Sequence, residues 1–258
     1  MSDPRVSLQF DGAIARLTLK RADKLNALDH AMIEALFDAA RAIDAHDAAR
    51  VAILSAEGKA FCAGGDIAAW GALPPLAMWR EWTRAGHRAF DALARCRVPV
   101  IAVLSGHAFG GGLELAAVAD IRIAEEGAQF GLPETGLGMV PGWSGTQRLV
   151  RRFGAQTVRR LSLTGEMVSD QEAVRLGLVD ELVAKGQGLA RADALAHQIA
   201  QRGPIAIQIA KQMINQAEGE DPALPIEAIA GALTAYTDDL KEGVAAFREK
   251  RPAVFRGN

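Results

Sequence analysis

Residues 105–134 read SGHAFGGGLELAAVADIRIAEEGAQFGLPE, and the rest of the chain can be arranged around this stretch. Three consecutive glycines, Gly110, Gly111 and Gly112, precede an apolar helical run that carries one acid, Glu114. A second acid, Glu134, closes the stretch after a proline. Two carboxylates beside a glycine turn predict a reaction site.

The glycine turn has a direct chemical use. Glycine allows a sharp turn and lets a ligand approach main-chain N–H groups closely. At the start of a helix these N–H groups are unpaired and lie at the positive end of the helix dipole, which suits a developing negative charge. We expect burial to raise the pKa of Glu114 toward the range needed for general acid–base catalysis. The alternative is a first-turn glutamate favoured only by the helix dipole.

Composition limits the class of protein. The chain has 258 residues, 50% of them hydrophobic, which is enough to bury a sizeable core in one large or two small domains. A net charge of −2 argues against nucleic acid as the main partner. Cys62 and Cys96 form no CxxC pair, so we expect a reducing, cytoplasmic location. No apolar run approaches the roughly 20 residues that span a bilayer, so we expect a soluble protein without membrane partners.

The first half of the chain alternates predicted strands and helices. Residues 6–10 and 13–19 alternate apolar and polar side chains around Asp11-Gly12, which predicts a β-hairpin. Asp29 is placed to cap a helix with an apolar face. Strands are predicted at 50–55 and 99–104, and a long helix from about 76 to 97.

A second glycine corner, residues 63–67, also follows a predicted strand and precedes a predicted helix. By itself such a corner is a common connection. After a strand at 178–183, the pattern is helical from residue 188 onward, with helices predicted at 189–201, 204–216, 225–236 and 238–250. The chain is therefore predicted to be α/β in class, with a core at 1–187 and a C-terminal helical region at 188–258.

Several other chemistries do not fit the sequence. The spacing of Gly142-Trp143-Ser144-Gly145 is wrong for a GxSxG nucleophile elbow, and neither a P-loop nor GxGxxG is present. The five histidines lack HExxH or other paired ligand spacing, so no metal site is predicted.

Six motifs together resemble the enoyl-CoA hydratase/isomerase family, which has the crotonase fold. They cover nearly the whole chain in order and read RADKLNAL at 21–28, AFCAGGDI at 60–67, GHAFGGGLELAAVADIRIA at 106–124, QFGLPETGLGMVPG at 129–142 with GTQRL at 145–149, LTGEMVSDQEAVRLGLVDELV at 163–183 and EGVAAFREKRPAVFRG at 242–257. The resemblance implies a core of repeated β-β-α units that carries a CoA-thioester site. It also implies a homotrimer or dimer of trimers, in which the C-terminal helical region forms interfaces and covers the site.

The resemblance assigns two backbone N–H groups to an oxyanion hole for a thioester enolate. The matching positions are Gly65 and Gly111. Fixed backbone donors in a dry pocket stabilise charge that appears only during reaction, because they do not have to reorganise. The N–H of Gly142 matches a position that orients the reacting water.

The type of reaction depends on the acids, since the family is chemically diverse. Family hydratases carry glutamates at the positions of Glu114 and Glu134, and both are present. The pair suits syn addition of water to a 2-enoyl-CoA, with Glu114 activating water and Glu134 delivering the proton, as in degradation of fatty acids or related acyl-CoAs. The alternatives are an isomerase or another enolate-forming acyl-CoA enzyme of this fold, and a non-catalytic CoA-dependent or RNA-binding member.

Further positions match places where relatives hold CoA, which arrives as part of the substrate, so no separate cofactor is implied. In the core, these positions are Lys24, Ala27, Ala63, Asp66 and Ile67. Near the C-terminus, Phe247 and Lys250 match positions that reach CoA, often from the adjacent subunit.

One departure from the family concerns Trp143 and Ser144. Many short-chain hydratases have small residues after the proline and glycine that match Pro141 and Gly142. Three roles are open to the indole: it shortens the acyl pocket, it reshapes the pocket for a branched or aromatic acyl group, or it points into the core.

Overall fold

The computed structural model describes residues 3–221 and 224–258, and the chain divides into two compact units with the boundary after Lys211. Residues 222 and 223, inside the predicted helical region 188–258, and residues 1 and 2, inside the predicted core 1–187, lie outside the described residues. In the first unit, strands and helices alternate up to residue 200.

Ten strands lie in the described residues and form two sheets. They are β1 Val6–Asp11, β2 Ile14–Leu19, β3 Val51–Ala56, β4 Ala60–Cys62, β5 Val100–Leu104, β6 His107–Phe109, β7 Ile121–Glu125, β8 Gln129–Gly131, β9 Met167–Ser169 and β10 Glu181–Val183. The larger sheet has the order β1-β2-β3-β5-β7-β10 and is parallel except for the hairpin β1-β2. The smaller sheet has the order β4-β6-β8-β9, in which only β9 is antiparallel to its neighbour.

Twelve α-helical segments accompany these strands in the described residues. They are α1 His30–Ala45, α2 Ile67–Trp70, α3 Pro75–Ala77, α4 Arg84–Ala94, α5 Gly111–Ala116, α6 Gln147–Phe153, α7 Ala155–Thr164, α8 Asp170–Arg175, α9 Gly188–Ala200, α10 Pro204–Ala217, α11 Leu224–Ala235 and α12 Asp238–Glu249.

A unit of two strands, one in each sheet, followed by helix occurs repeatedly along the chain. β3 enters the larger sheet, β4 enters the smaller sheet and helices follow; β5, β6 and α5 repeat this order, and β7 and β8 start it again. The predicted repeat of β-β-α units is therefore confirmed. From residue patterns alone we expected one strand per unit, because the second strands have only three residues and carry no readable period.

The hairpin and the first helix form as predicted. β1 and β2 pair antiparallel in register from Val6 with Leu19 to Asp11 with Ile14. The carboxylate of Asp29 accepts the N–H of Met32 at 3.0 Å, which satisfies one of the unpaired donors at the start of α1. The apolar face of α1 is buried against α4.

The helix predicted at about 76–97 differs in the structure. It begins with α3, passes through a π-helical turn at Met78–Thr83 and ends with α4 at Ala94. The π turn adds one residue to the hydrogen-bonded turn of the helix. The side chains that follow are therefore rotated about the helix axis. Met78 and Trp82 of this turn both line the pocket described below.

Two apolar clusters lie on opposite faces of the larger sheet. The main cluster fills the space between the sheets and helices α1 and α4. The second cluster joins inward residues of β3, β5 and β7 to Ala192 and Ala196 of α9. Lys211 is buried and its ammonium group pairs with Asp120 at 2.8 Å, so the end of the first unit is held by an ionic hydrogen bond.

The second unit is held by its own polar contacts. Thr237 caps α12 by accepting the N–H of Leu240 at 3.1 Å. The chain after α12 folds back along it, where Arg251 pairs with Glu242 and the N–H of Gly257 donates to Asp239. Helix α11 is apolar in sequence yet exposes Ile226 and Leu233.

Candidate active site

The candidate site lies where three neighbouring strands of the smaller sheet end. β4, β6 and β8 are parallel and adjacent, so their carboxyl ends meet at one edge of the sheet, where ligands bind in many α/β proteins. The segment after β4 carries Gly65, the segment after β6 carries Gly111, and the segment after β8 carries Glu134. Sheet topology thus brings these three predicted residues together.

The two glycine corners pack against each other. Gly64 has φ +97° and Gly110 has φ +54°, conformations that side-chain-bearing residues rarely adopt. A β-carbon on Gly64 would lie 3.2 Å from the amide nitrogen of Gly111. Within the described residues, the N–H groups of Gly65 and Gly111 donate no hydrogen bond. Two backbone donors beside one pocket are therefore available to an anionic oxygen.

One pocket includes both corners and both acids. Its mainly apolar lining with a few polar groups is typical of small-ligand sites. Its apolar side chains include Trp70, Met78, Trp82, Leu137, Val140 and Trp143. Gly142 also lines the pocket, and its N–H donates no hydrogen bond to the part of the chain that the structure describes.

Glu114 is buried in the first turn of α5, as predicted. Its Oε1 accepts the backbone N–H of Trp143 at 2.7 Å and of Gly145 at 2.6 Å. Burial raises the pKa of Glu114 to about 7, although these two donors oppose the shift, and the charge of Glu134 raises it further. Near neutral pH this carboxyl group therefore exchanges a proton readily.

Glu134 lies on a 3₁₀ helix, Pro133–Leu137, and reaches toward the glycine turn. A β-carbon on Gly110 would lie 2.7 Å from Oε1 of Glu134. Both carboxylate oxygens are buried, and neither has a partner on another residue in the described ranges. Burial raises the pKa of Glu134, opposed by its own backbone N–H. A buried carboxyl without external donors favours its neutral form and is suited to donate a proton.

The segment 142–145 positions Glu114 and is itself held by α4. Ser144 has φ +75°, and its hydroxyl group is hydrogen-bonded to Nδ1 of His87 at 2.9 Å. Four residues farther along the chain, the buried Arg148 pairs with Asp91 of α4 at 2.7 Å. These contacts fix the backbone that supplies both donors to Glu114. Sequence reasoning did not find them, because they join residues 57 positions apart.

The predicted CoA residues of the core fall into two groups. Ala63 and Ile67 line the pocket. Asp66 uses its carboxylate to accept the N–H of Ala68 at 3.0 Å and to pair with Arg21 at 2.7 Å, and its own N–H donates to the carbonyl of Leu28 at 2.8 Å. A role for these residues in CoA binding stays a prediction.

Lys24 and Ala27 belong to a segment next to the glycine corner at residues 63–67. Lys24 ends a 3₁₀ turn, Ala22–Lys24, and the carbonyl of Ala27 accepts Nη1 of Arg21. One residue later, the N–H of Leu28 donates to the carbonyl of Gly64 at 2.8 Å. Two of the segments that the resemblance assigns to CoA are thus neighbours.

Phe247 and Lys250 lie in the second unit. Phe247 is on α12 and is 86% exposed. Lys250 follows the last residue of α12 and has φ +54°, the left-handed conformation that ends many helices. Their assignment to CoA stays a prediction.

Sequence reasoning missed an aromatic wall beside Gly65. A β-carbon on Gly65 would lie 3.0 Å from Trp82, 3.2 Å from Trp143 and 3.2 Å from Trp70. The chain has four tryptophans, and three of them surround this glycine. The clustering of tryptophans in the segment after the glycine corner at residues 63–67 was the available signal.

Two searches of residues 3–221 and 224–258 were negative. No group of three or more His, Cys, Asp or Glu side chains is arranged to hold a metal ion. None of the described helices combines the length and the apolar character needed to cross a bilayer.

Comparisons with known proteins agree with one another. The family model described as enoyl-CoA hydratase/isomerase matches residues 9–258. Crotonyl-CoA hydratase of Syntrophomonas wolfei is 36% identical over 258 residues, covering 99% of each chain. Short-chain-enoyl-CoA hydratase of Clostridium acetobutylicum is 35% identical over 249 residues, covering 95% of each chain.

The fold has close counterparts among solved structures. The crystal structure of an enoyl-CoA hydratase from Bacillus anthracis matches with a TM-score of 0.81 and 34% identity. The match covers 98% of this chain and all of the other.

Proposed function

We propose, from the premise that this chain belongs to the enoyl-CoA hydratase/isomerase family, that it adds water to the double bond of a 2-enoyl-CoA to form a 3-hydroxyacyl-CoA. One observation carries the proposal: two buried carboxyl groups line a pocket together with two unpaired backbone N–H groups. The names of the relatives, crotonyl-CoA hydratase and short-chain-enoyl-CoA hydratase, support it.

The oxyanion hole consists of the N–H groups of Gly65 and Gly111. They hold the thioester oxygen, on which negative charge develops when water attacks C3. Because both donors belong to backbone fixed by the ends of β4 and β6, they do not reorganise during the reaction. The N–H of Gly142 orients the water.

The two acids have different roles because their surroundings differ. Glu114 accepts two backbone N–H groups, which favours its ionised form, so it removes a proton from the attacking water. Glu134 has no donor from another residue in the described parts of the chain, and burial raises its pKa, so we assign to it the proton that is delivered to C2. In the product, the hydroxyl group is on C3 and the new hydrogen is on C2. Proton exchange with solvent restores both acids.

Substrate binding and assembly extend the proposal. CoA enters as part of the thioester and lies along Lys24, Ala27, Ala63, Asp66 and Ile67. Phe247 and Lys250 match positions that in relatives reach CoA, often from the adjacent subunit. The apolar α11 supports a homotrimer or dimer of trimers, which a mass measurement in solution tests. A cytoplasmic acyl-CoA degradation pathway remains part of this proposal.

Ultraviolet absorbance of crotonyl-CoA tests the reaction. We expect the purified protein to remove the absorbance of the conjugated thioester and to yield a product heavier by one water. An isomerase would only move the double bond, and the mass of its product would equal that of its substrate. Absence of turnover with crotonyl-CoA and with longer, branched and aromatic enoyl-CoAs would reject the proposal.

The pH dependence of kcat/KM should report the titration of the two carboxyl groups. Water activation requires ionised Glu114, whose pKa is about 7, so we expect kcat/KM to fall about tenfold per pH unit below an apparent pKa near 7. This apparent pKa belongs to the pair of acids, because they interact. A profile that stays flat from pH 5 to 8 would contradict these roles.

A further inference from the structure

Trp143 stands directly against both glycines of the proposed oxyanion hole. A β-carbon on Gly111 would lie 2.7 Å from Cζ3 of the indole, and one on Gly65 would lie 3.2 Å from its Cη2. The indole lines the pocket, and the residue is only 3% exposed. Of the three roles that the sequence left open, pointing away from the pocket is therefore wrong.

The indole is fixed by contacts on its other sides. Its Nε1 donates to the carbonyl of Trp82 at 3.4 Å. Its ring centroid lies 5.2 Å from that of Trp82 and 5.4 Å from that of Phe90, in tilted and edge-to-face arrangements that aromatic pairs prefer. Its backbone is held as well, because the N–H of Trp143 donates to Glu114.

Helix α4 provides a matching recess at Gly86. A β-carbon on this buried glycine would overlap Nε1 and Cδ1 of the indole. Glycine inside a helix is unfavourable relative to alanine, so its presence here has a packing reason. Gly86 and Trp143 form a complementary pair, and the indole cannot move deeper without displacing α4.

The direction of the acyl chain follows from the two ends of the pocket. Leu137 and Val140 are 57% and 68% exposed and form its open rim, whereas Trp82 and Trp143 are buried and form its inner end. A thioester that enters from the rim and places its oxygen at Gly65 and Gly111 directs carbons beyond C3 toward the indoles. The bulky CoA group remains at the rim.

We propose that the indole of Trp143, seated against Gly86, is the inner wall of the acyl pocket and restricts the enzyme to short straight-chain enoyl thioesters. This inference rests on the proposed function and assigns its substrate class. A methylene that does not fit a packed wall lowers kcat/KM by roughly 10- to 200-fold. We therefore expect kcat/KM to decline steeply for acyl chains just longer than the longest one that fits.

The test compares kcat/KM of wild type and Trp143→Ala on straight-chain 2-enoyl-CoAs of 4, 6, 8 and 10 carbons. For wild type we expect at least about 100-fold preference for the four-carbon over the ten-carbon substrate. In the variant, the ten-carbon to four-carbon ratio should increase at least tenfold. Trp79→Ala is the matched control, because Trp79 is 61% exposed and outside the pocket lining, and it should keep the wild-type ratio.

A second variant and a binding measurement complete the test. Trp143→Phe retains an aromatic ring against Gly86 and serves as the test if the alanine variant does not fold. Its ten-carbon to four-carbon ratio of kcat/KM should lie above that of wild type and below that expected for the alanine variant. Calorimetry with saturated butyryl-CoA and decanoyl-CoA reports on the wall without turnover, so it separates failure of this inference from failure of the proposed function. Equal kcat/KM for all chain lengths, equal binding of both saturated thioesters, or an unchanged ratio in the folded variants would overturn the inference.

Discussion

Replacing Glu134 with glutamine is expected to lower kcat for hydration of crotonyl-CoA by about 100- to 10,000-fold, the range typical for loss of a general acid or base. Glutamine has nearly the same shape but carries no proton that it can transfer to C2. Both carboxylate oxygens are buried without a partner on another described residue, so no hydrogen bond to another residue is lost. Absorbance at saturating substrate measures kcat, and thermal unfolding verifies the fold.

The matched control for this variant is Glu126→Gln. Glu126 is exposed and lies just after β7, away from the pocket lining. It should retain wild-type kcat. If Glu134→Gln retained more than about a tenth of wild-type kcat, Glu134 would not be the main proton donor, and the role of the pair would have to be reassigned.

Glu114→Gln should reduce kcat by a similar factor, and it should also change how stability depends on pH. The amide oxygen still accepts the N–H groups of Trp143 and Gly145, so the fold is retained. In wild type, the pKa of Glu114 rises from 4.5 in the unfolded chain to about 7 in the folded protein. Between these values the folded state holds the extra proton, so stability decreases as pH rises.

The size of this effect follows from linkage. A shift from 4.5 to about 7 corresponds to a loss of about 3 kcal/mol of unfolding free energy between acidic and mildly alkaline pH. Glutamine does not ionise. We therefore expect the unfolding free energy of the variant, relative to that of wild type, to increase by about this amount between pH 5 and pH 8. Urea unfolding at both pH values measures the difference. An equal difference at both values would show that Glu114 does not titrate in this range.

The two variants together measure how much the buried acids contribute to activity and how much they lower stability. Two acids line one pocket, and each has its pKa raised by desolvation. This arrangement destabilises the folded protein at neutral pH, and in the proposed reaction one of the two carboxyl groups accepts a proton while the other donates one. Activity and stability should therefore change in opposite directions when Glu114 is replaced.

Local sequence predicted the elements whose residues carry a period or a cap. The hairpin at residues 6–19 and the helix after Asp29 follow from alternation, a glycine turn and a capping carboxylate. The strands β4, β6 and β8 were not predicted from residue patterns, because three residues are too few to show a period. The π turn at Met78–Thr83 was also missed, since an apolar helical pattern does not reveal a change in hydrogen bonding.

The sequence by itself determined that the chain is α/β, that it has two glycine corners, and which two acids accompany them, because these features belong to short segments and do not depend on distant contacts. Only the tertiary structure decided that Glu114 accepts two N–H groups while Glu134 accepts none from another described residue, and that the Trp143 indole rests between Gly86 and the two glycine corners. These features join segments far apart in the chain. Their physical basis is the parallel pairing of β4, β6 and β8, which brings the ends of three strands to one edge of a sheet.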